Sequence, residues 1–256
     1  MKIVVCIKQV PDSTAKVVVE HGKVSWGDAP LIMNPWDEYA LEAALQQKEA
    51  LGGTVTAITI GDESTKEALK RALAMGADDA ILICDPALVN MDTQATAQVL
   101  AAAILKTGGV DMAFFGRQAI DGDAGLVPAQ TARLLGWPAL TLASVIKIEG
   151  INVRVERGIE EGRQIVTAKL PAVFSLTKDF GEPRYPSFMG IRKASRAEIP
   201  TWSLTEVGIA VPASVIAWPE IINPPSREVK CEFITGGSPE EIAETLANKI
   251  LAEKVL

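Results

Sequence analysis

The chain has one histidine, His21, and three cysteines, Cys6, Cys84 and Cys231, among 256 residues. His21 is therefore the sole candidate for any histidine-based metal site or catalytic dyad, and it lies beside Gly22 in a turn region, the setting of an exposed loop residue. The cysteines are far apart and show no CxxC spacing; Cys6 and Cys84 sit inside apolar, strand-like runs. They read as reduced core thiols of a cytoplasmic chain. Basic residues are in the minority, 25 Lys+Arg against 32 Asp+Glu, for a formal charge of -7. That balance argues against a nucleic-acid binder, whose phosphate contacts need a basic surface. Long apolar runs are missing as well. Met1 to Lys8 is too short and too quickly interrupted for a signal peptide, and no stretch is long enough to span a bilayer, so a soluble protein is expected. No GxSxG, HExxH, Walker A or Ser/His/Asp set is visible, which leaves hydrolase and metalloenzyme readings without their groups.

What is present is 48% hydrophobic content, enough for a substantial core in one large domain or a domain plus an appendage. Ile3 to Ile7 is a continuous apolar run, as in a strand buried on both faces of a parallel sheet. After the Pro11 turn, the Val-rich Lys16 to Trp26 suits a small hairpin near Gly22. Asn34-Pro35-Trp36-Asp37-Glu38 is a helix start, with Asn34 as cap, Pro35 in the first helical position and two acids facing the positive end of the dipole. The helix runs to about Leu51, with Leu41, Ala44, Leu45 and Leu51 on its apolar side. A strand over Thr54 to Ile60, a helix from Ser64 to Met75, a strand over Ala80 to Cys84, a helix from about Gln94 to Lys106 capped by Asp92 or Thr93, and a strand over Asp111 to Phe115 follow. Four strands alternating with helices imply an α/β fold, a doubly wound, mainly parallel, Rossmann-like sheet.

Such sheets bind ligands beyond the carboxyl ends of their strands, where strand order reverses. The expected lining is Cys6 after the first strand, Asn34, Pro35, Trp36 and Asp37 at a helix start, Ile60 and Gly61 after the second strand, and the loop Gly116-Arg117-Gln118-Ala119-Ile120-Asp121-Gly122-Asp123-Ala124-Gly125-Leu126-Val127. Val127 to Leu135 continues as a helix whose first N–H groups would face a ligand phosphate. Two helix starts and a Gly-rich loop converging on one crevice suit an adenine nucleotide; ordinary loop punctuation is the other reading. Asp121 and Asp123 read either as acid, base or Mg²⁺ ligands, or as solvated and backbone-capping carboxylates.

Past Trp137-Pro138, Asn152 to Arg157 and Arg163 to Lys169 alternate apolar and charged residues about a Gly158 to Gly162 turn, an antiparallel hairpin with one exposed face, and Pro171 to Leu176 returns to a core strand. Glu182 to Lys193 mixes Tyr185, Phe188, Met189 and Ile191 with Arg192 and Lys193, either a partner-docking loop or residues tucked back on the sheet. Residues 1–200 thus form a nucleotide-binding domain, and 201–256 an extended arm whose last helix opens with a capping box at Ser238-Pro239-Glu240-Glu241. Ile242, Leu246 and Ile250 give that helix an apolar stripe, to be covered by the chain's own body or by a second subunit.

Several of these stretches share a resemblance. Val4-Val5-Cys6-Ile7-Lys8-Gln9-Val10-Pro11, Met33-Asn34-Pro35, Ala72-Leu73-Ala74-Met75-Gly76-Ala77-Asp78, Gly116 to Asp121 and Glu182-Pro183-Arg184-Tyr185 together resemble the β subunits of electron transfer flavoproteins. So does the span from Val155 to Ser175, with Arg157, Glu160, Glu161, Gly162, Gln164 and Pro171 at matching positions and Phe174 where a smaller aliphatic is usual. The resemblance implies a heterodimer with an α subunit that holds most of a redox-active FAD, carrying electrons from acyl-CoA or related dehydrogenases to a quinone reductase or other acceptor. It implies that the arm packs on the α subunit, that the crevice residues line the β subunit's own site for AMP or a second FAD, and that Tyr185 to Lys193 docks a dehydrogenase with Phe188 as apolar anchor. Members with a second FAD bifurcate electrons from NADH. Gly122 to Val127 is closer to their Gly-Asp-Thr-Ala-Gln-Val form, although Ala124 and Leu126 replace polar residues of it. A nucleotide-binding module of universal-stress type is the alternative, and it leaves the hairpin, the Glu182 to Lys193 loop and the arm unexplained. An ATP-pyrophosphatase would need a Gly-rich phosphate loop after the first strand, which Lys8 to Asp12 lacks.

Overall fold

The computed structural model describes residues 1–218, 220–225 and 231–253. In chain order its elements are β1 (Lys2–Cys6), β2 (Gln9–Pro11), β3 (Val18–Glu20), β4 (Lys23–Ser25), β5 (Leu31–Met33), α1 (Pro35–Leu51), β6 (Thr54–Ile60), α2 (Lys66–Met75), β7 (Asp79–Ile83), α3 (Thr93–Thr107), β8 (Met112–Gly116) and α4 (Val127–Leu135). There follow β9 (Ala139–Glu149), β10 (Asn152–Ile159), β11 (Gly162–Lys169), β12 (Ala172–Leu176), α5 (Phe188–Ala194), β13 (Thr201–Trp202), α6 (Leu204–Val207) and α7 (Pro239–Ala252). The chain divides into two compact units, Met1–Ile221 and Ile222–Leu256.

The first unit is built on a nine-stranded sheet in the order β11-β10-β9-β12-β8-β1-β6-β7-β13. It is parallel from β9 through β13, and antiparallel only where β10 pairs with β9 and β11. The central strands are buried on both faces, so each carries two cores. Ile3, Val5, Ala57, Leu82 and Phe114 point to the face covered by α1 and α2. Val4, Cys6, Ile58, Ile83 and Phe115 point to the face holding α3 residues Val99 and Ile104 and α4's Ala132. Phe174, unusual in the resemblance, stacks on Phe114 with ring centroids 4.8 Å apart, so the neighbouring strand fills the space a smaller residue would leave. The chain proceeds outward from β1 through β6 to β7, then returns through α3 to place β8 on the other side of β1. The order therefore reverses between β1 and β8.

The β3–β4 hairpin turns at His21 and Gly22, both with positive φ, as the sequence suggests. Elsewhere the structure differs from expectation. β9 is an eleven-residue strand within a stretch that carries no strand expectation. β2 and β5 form a separate antiparallel pair that brings the chain from the end of β1 to the start of α1. The Glu182 to Lys193 segment ends in a helix, α5, because Ser187 caps it by accepting from the Gly190 N–H. Thr201 and Trp202 join the sheet beside β7, and α6 buries Leu204 and Val207 against it. Leu51, placed on the apolar side of α1, is exposed.

In the second unit, α7 begins with the expected capping box between Ser238 and Glu241, and Lys249 pairs with Glu232.

Candidate functional site

The end of β1, the end of β8 and the start of α1 meet at the reversal point. Cys6 lies beside Phe115 in register, so Lys8, two residues past Cys6, and Gly116, next after Phe115, come together at the start of α1, where Asp37 accepts from both of their backbone N–H groups. Asn34 was expected to cap α1, but its side chain caps nothing. It is fully buried, its Nδ2 donates to the Gln118 carbonyl at 2.9 Å, and its Oδ1 accepts from the Ile120 N–H at 3.2 Å. Its backbone N–H donates to the Lys8 carbonyl at 2.8 Å. The side chain leaves the helix end because the loop after β8 offers it two otherwise unpaired backbone groups.

Asp37 is likewise turned inward. Both carboxylate oxygens are occupied, Oδ2 by the Lys8 N–H at 2.8 Å and Oδ1 by the Gly116 N–H at 3.2 Å. Burial pushes its carboxyl up to about 7, against hydrogen bonds from Lys8, Asn34 and Gly116 and the Lys8 charge, which pull it down. Gly116 has to be glycine: an added Cβ would run into Asp37 Oδ1 and would lie 2.7 Å from the Trp36 carbonyl carbon. Trp36 is half-buried under Arg117, whose guanidinium stands 5.7 Å from the ring centroid. Pro35 occupies the first helical turn.

The loop from Arg117 to Leu126 is held from within and left open at its tip. Ala119 O accepts from Asp123 N at 2.9 Å, Asp123 carries φ +48°, and Gln118 Nε2 donates to Asp123 Oδ1 at 2.7 Å. Asp121 pairs with Lys8 Nζ at 2.6 Å. The two loop aspartates thus serve the loop's own structure, and no group of three metal-ligating side chains occurs among the described residues. Gly122, Ala124, Gly125 and Leu126 are exposed. α4 starts at Val127 with no side-chain cap on its first turn. The tip therefore presents small residues, with the Gly122 and Asp123 N–H groups turned in to Ala119 O and the Pro128 position of the first turn without an N–H, so that the donors open to phosphate oxygens are those of Ala124 to Val127.

The remaining candidates are less central. Cys6 is buried, facing the α3 and α4 side, and burial, with the neighbouring Asp37 charge, pushes its thiol up, so it is an inert core thiol. Ile60 and Gly61 lie one strand further out, at the end of β6, where Ile60 packs on the core and Gly61 donates to the Ile83 carbonyl at 3.0 Å. Sequence reasoning missed Lys8, the cation beside the loop; its place directly after the first buried strand was the available signal.

The second candidate surface lies on α5 and the segment before it. Tyr185 is 90%, Phe188 82% and Met189 70% exposed, so these side chains do not tuck back on the sheet. Ile191, Arg192 and Lys193 are exposed too. Gly190 lets α5 sit directly on the Ala74 carbonyl of α2, and beside that contact a cleft of about 340 Å³ is lined by Glu67, Lys70, Arg71, Pro186, Ile191 and Ser195. Arg184 holds the segment in place. Its Nε donates to Glu42 Oε2 at 2.7 Å and its Nη1 to Glu49 Oε1 at 2.6 Å, both on α1. Burial pushes Glu42 up, but the hydrogen bonds from Arg184 and Gln46 outweigh it and hold the carboxyl below its usual range.

Against known proteins, a family model described as the electron transfer flavoprotein domain matches residues 22–207. The chain is 38% identical, over all of both chains, to the caffeyl-CoA reductase-Etf complex subunit CarD of Acetobacterium woodii. It is also 38% identical, again over all of both chains, to the electron transfer flavoprotein subunit beta of Megasphaera elsdenii. Protein FixA of Azorhizobium caulinodans is 38% identical over 82% of this chain and 77% of its own.

Proposed function

The chain belongs to the electron transfer flavoprotein family, as a beta subunit, and from that premise we propose that it pairs with an alpha subunit, binds an adenine nucleotide between β1 and β8, and relays electrons. An electron-transfer role comes with the family; the partners and the occupant of the crevice are our reading. The observation that carries the nucleotide assignment is the exposed run from Gly122 to Leu126 leading into the uncapped first turn of α4, at the point where strand order reverses.

The occupant is a second FAD, beside the flavin shared with the alpha subunit. The residues fit a diphosphate: the tip has no bulky side chain before Leu126, and backbone N–H groups stand in for the hydroxyl that Ala124 lacks. Arg117 adds positive charge at the rim, and Lys8 offsets the Asp121 carboxylate there. A flavin in this position supplies reversible uptake of a hydride from NADH and its division into single electrons. The chain's part is to seat the diphosphate on α4, to stack and shield the rim with Trp36 and Arg117, and to keep the loop shape through Asn34, Gln118 and Asp123.

The docking partner is an acyl-CoA dehydrogenase or a related flavoenzyme, gripped by Phe188 and its neighbours, with a quinone reductase or another acceptor downstream. A full-length relative named as part of a caffeyl-CoA reductase complex supports an acyl-CoA enzyme as partner. No helix among the described residues is long and apolar enough to cross a membrane, and we place the complex in the cytoplasm. Purifying the yellow heterodimer, releasing its nucleotides by heat and counting them tests the occupant. Two FAD per heterodimer are expected. One FAD with one AMP overturns the second-FAD reading, and a pair with no adenine nucleotide beyond the shared flavin overturns the site.

A further inference from the structure

Asn34 and Asp37 lie at the nucleotide crevice, yet neither has its polar groups turned toward a ligand. Asp37 spends both oxygens on backbone N–H groups from two different strand ends, Lys8 after β1 and Gly116 closing β8. Asn34 spends its amide on Gln118 and Ile120 of the loop that follows. From one helix start, two side chains thus fasten one wall of the crevice, the other wall and the base of the phosphate loop. The fit is specific, since Gly116 leaves room for the Asp37 carboxylate that any side chain there would take. A buried carboxylate is a costly way to make two hydrogen bonds, which a purely structural contact would not require.

Given the nucleotide reading of the crevice, on which this depends, we propose that Asn34 and Asp37 are positioning residues of the nucleotide site, setting its affinity by holding Gly116 to Ile120 in the ligand-ready conformation without touching the ligand. The carboxylate accepts from both strand ends, one backbone N–H on each oxygen. Protonation removes the charge and leaves one oxygen a hydroxyl, a weaker acceptor, so the hydrogen bond that holds one strand end is weakened. Asparagine has the same shape and replaces one acceptor oxygen by an NH2 donor, so Asp37→Asn weakens the same bond at every pH. The titratable and charged groups around Asp37 are the Cys6 thiol and the Lys8 ammonium from β1 and its exit, Arg117 and Asp121 from the loop, and Glu38 on its own helix. Glu38 is turned to Arg71 of α2, and Lys8 to Asp121, so Asp37 lacks a dedicated counter-charge. Burial places its own titration at about 7, within the range where the complex would work.

The test uses the complete heterodimer, stripped of nucleotide by mild chaotrope and titrated calorimetrically with AMP and with FAD between pH 6 and pH 8.5. Unaltered protein should bind one nucleotide in the beta subunit. Asp37→Asn should bind it roughly tenfold more weakly at pH 8, and the gap should close toward pH 6, where Asp37 itself is protonated. Comparing the two proteins at each pH cancels the titration of the ligand's own phosphate. If Asp37→Asn fails to assemble, Asn34→Ala replaces it, and it should weaken binding by a similar factor at every pH. Unchanged affinity in the assembled variant, or an Asp37→Asn gap that is constant with pH, overturns the positioning role alone. Failure of the unaltered pair to take up either nucleotide overturns the crevice assignment and this inference together.

Discussion

Asp37 and Glu42 sit five residues apart on one helix, are both buried carboxylates, and respond to pH in opposite senses. Asp37 is raised to about 7, mainly by burial. Between the unfolded carboxyl pKa near 4 and that value, the folded chain binds the extra proton, so this group's contribution falls as pH rises through the window. The effect is at most about 4 kcal/mol at about 1.4 kcal/mol per unit. Glu42 is lowered by Arg184 and Gln46, so its contribution is present above the unfolded pKa and is lost as pH falls through the folded one. Urea unfolding of unaltered chain and Asp37→Asn at pH 5 and pH 8 separates the two. The variant should lose the part of the slope that favours pH 5; an unchanged slope would exclude Asp37 as its source. Arg184→Lys keeps the charge but not the fork that reaches Glu42 and Glu49 together. It should cost about 1–2 kcal/mol of stability, less than a fully buried pair because Arg184 is partly exposed. Thermal melts of the heterodimer give that number directly.

At the scale of elements, α5 is the most easily perturbed piece. It is seven residues long and rests on α2 through Gly190, whose missing Cβ is what permits contact with the Ala74 carbonyl. Gly190→Ala has to lift α5 away from backbone that cannot yield. If α5 docks the proposed acyl-CoA enzyme, the expected result is loss of that docking with little change in the melting of the main sheet, read by binding to that enzyme and by circular dichroism. Normal docking by the variant would show that the helix position is unimportant. The same element marks where sequence reasoning ends. Long alternations such as β1-α1-β6-α2-β7 are legible because a strand buried on both faces and a helix closed by Gly52 or Gly76 each leave a periodic signature. α5 spans two turns, too few for a period to declare itself. β9 is masked differently: Leu142 has φ +58° and its N–H turns to Ser175 Oγ, so the twofold alternation breaks inside the strand. In the crevice, the composition of Asn34 to Asp37 announced a helix start correctly. That its side chains would serve the neighbouring strands was invisible, because those partners are 84 and 79 residues away in the chain.

For the whole molecule, charge and apolar exposure act on different steps of partner recognition. The chain is acidic, at -7, yet the face proposed for docking gathers Lys70 and Arg71 at its cleft with Arg192, Lys193 and Arg196 exposed on and just after α5. Lys70 and Arg71 are partly spent on Glu67 and Glu38, whereas the α5 cations stand beside Tyr185, Phe188 and Met189, the exposed apolar tip. A local basic patch on an acidic body would steer an acidic surface of the proposed partner to one orientation, and such steering is screened once the Debye length falls below about 8 Å, near 0.15 M salt. The apolar tip acts only after contact, by leaving water, so it governs how long the complex lasts. Raising salt from about 0.05 to 0.5 M should therefore slow association with the acyl-CoA enzyme while leaving dissociation nearly unchanged. Phe188→Ala should do the reverse, speeding dissociation about tenfold or more with association preserved, and should leave the heterodimer's melting temperature where it was, because that ring is 82% exposed. Stopped-flow mixing followed through the flavin absorbance resolves both rates. Association insensitive to salt would remove the basic patch from recognition, and dissociation unmoved by Phe188→Ala would place the anchor elsewhere on this face.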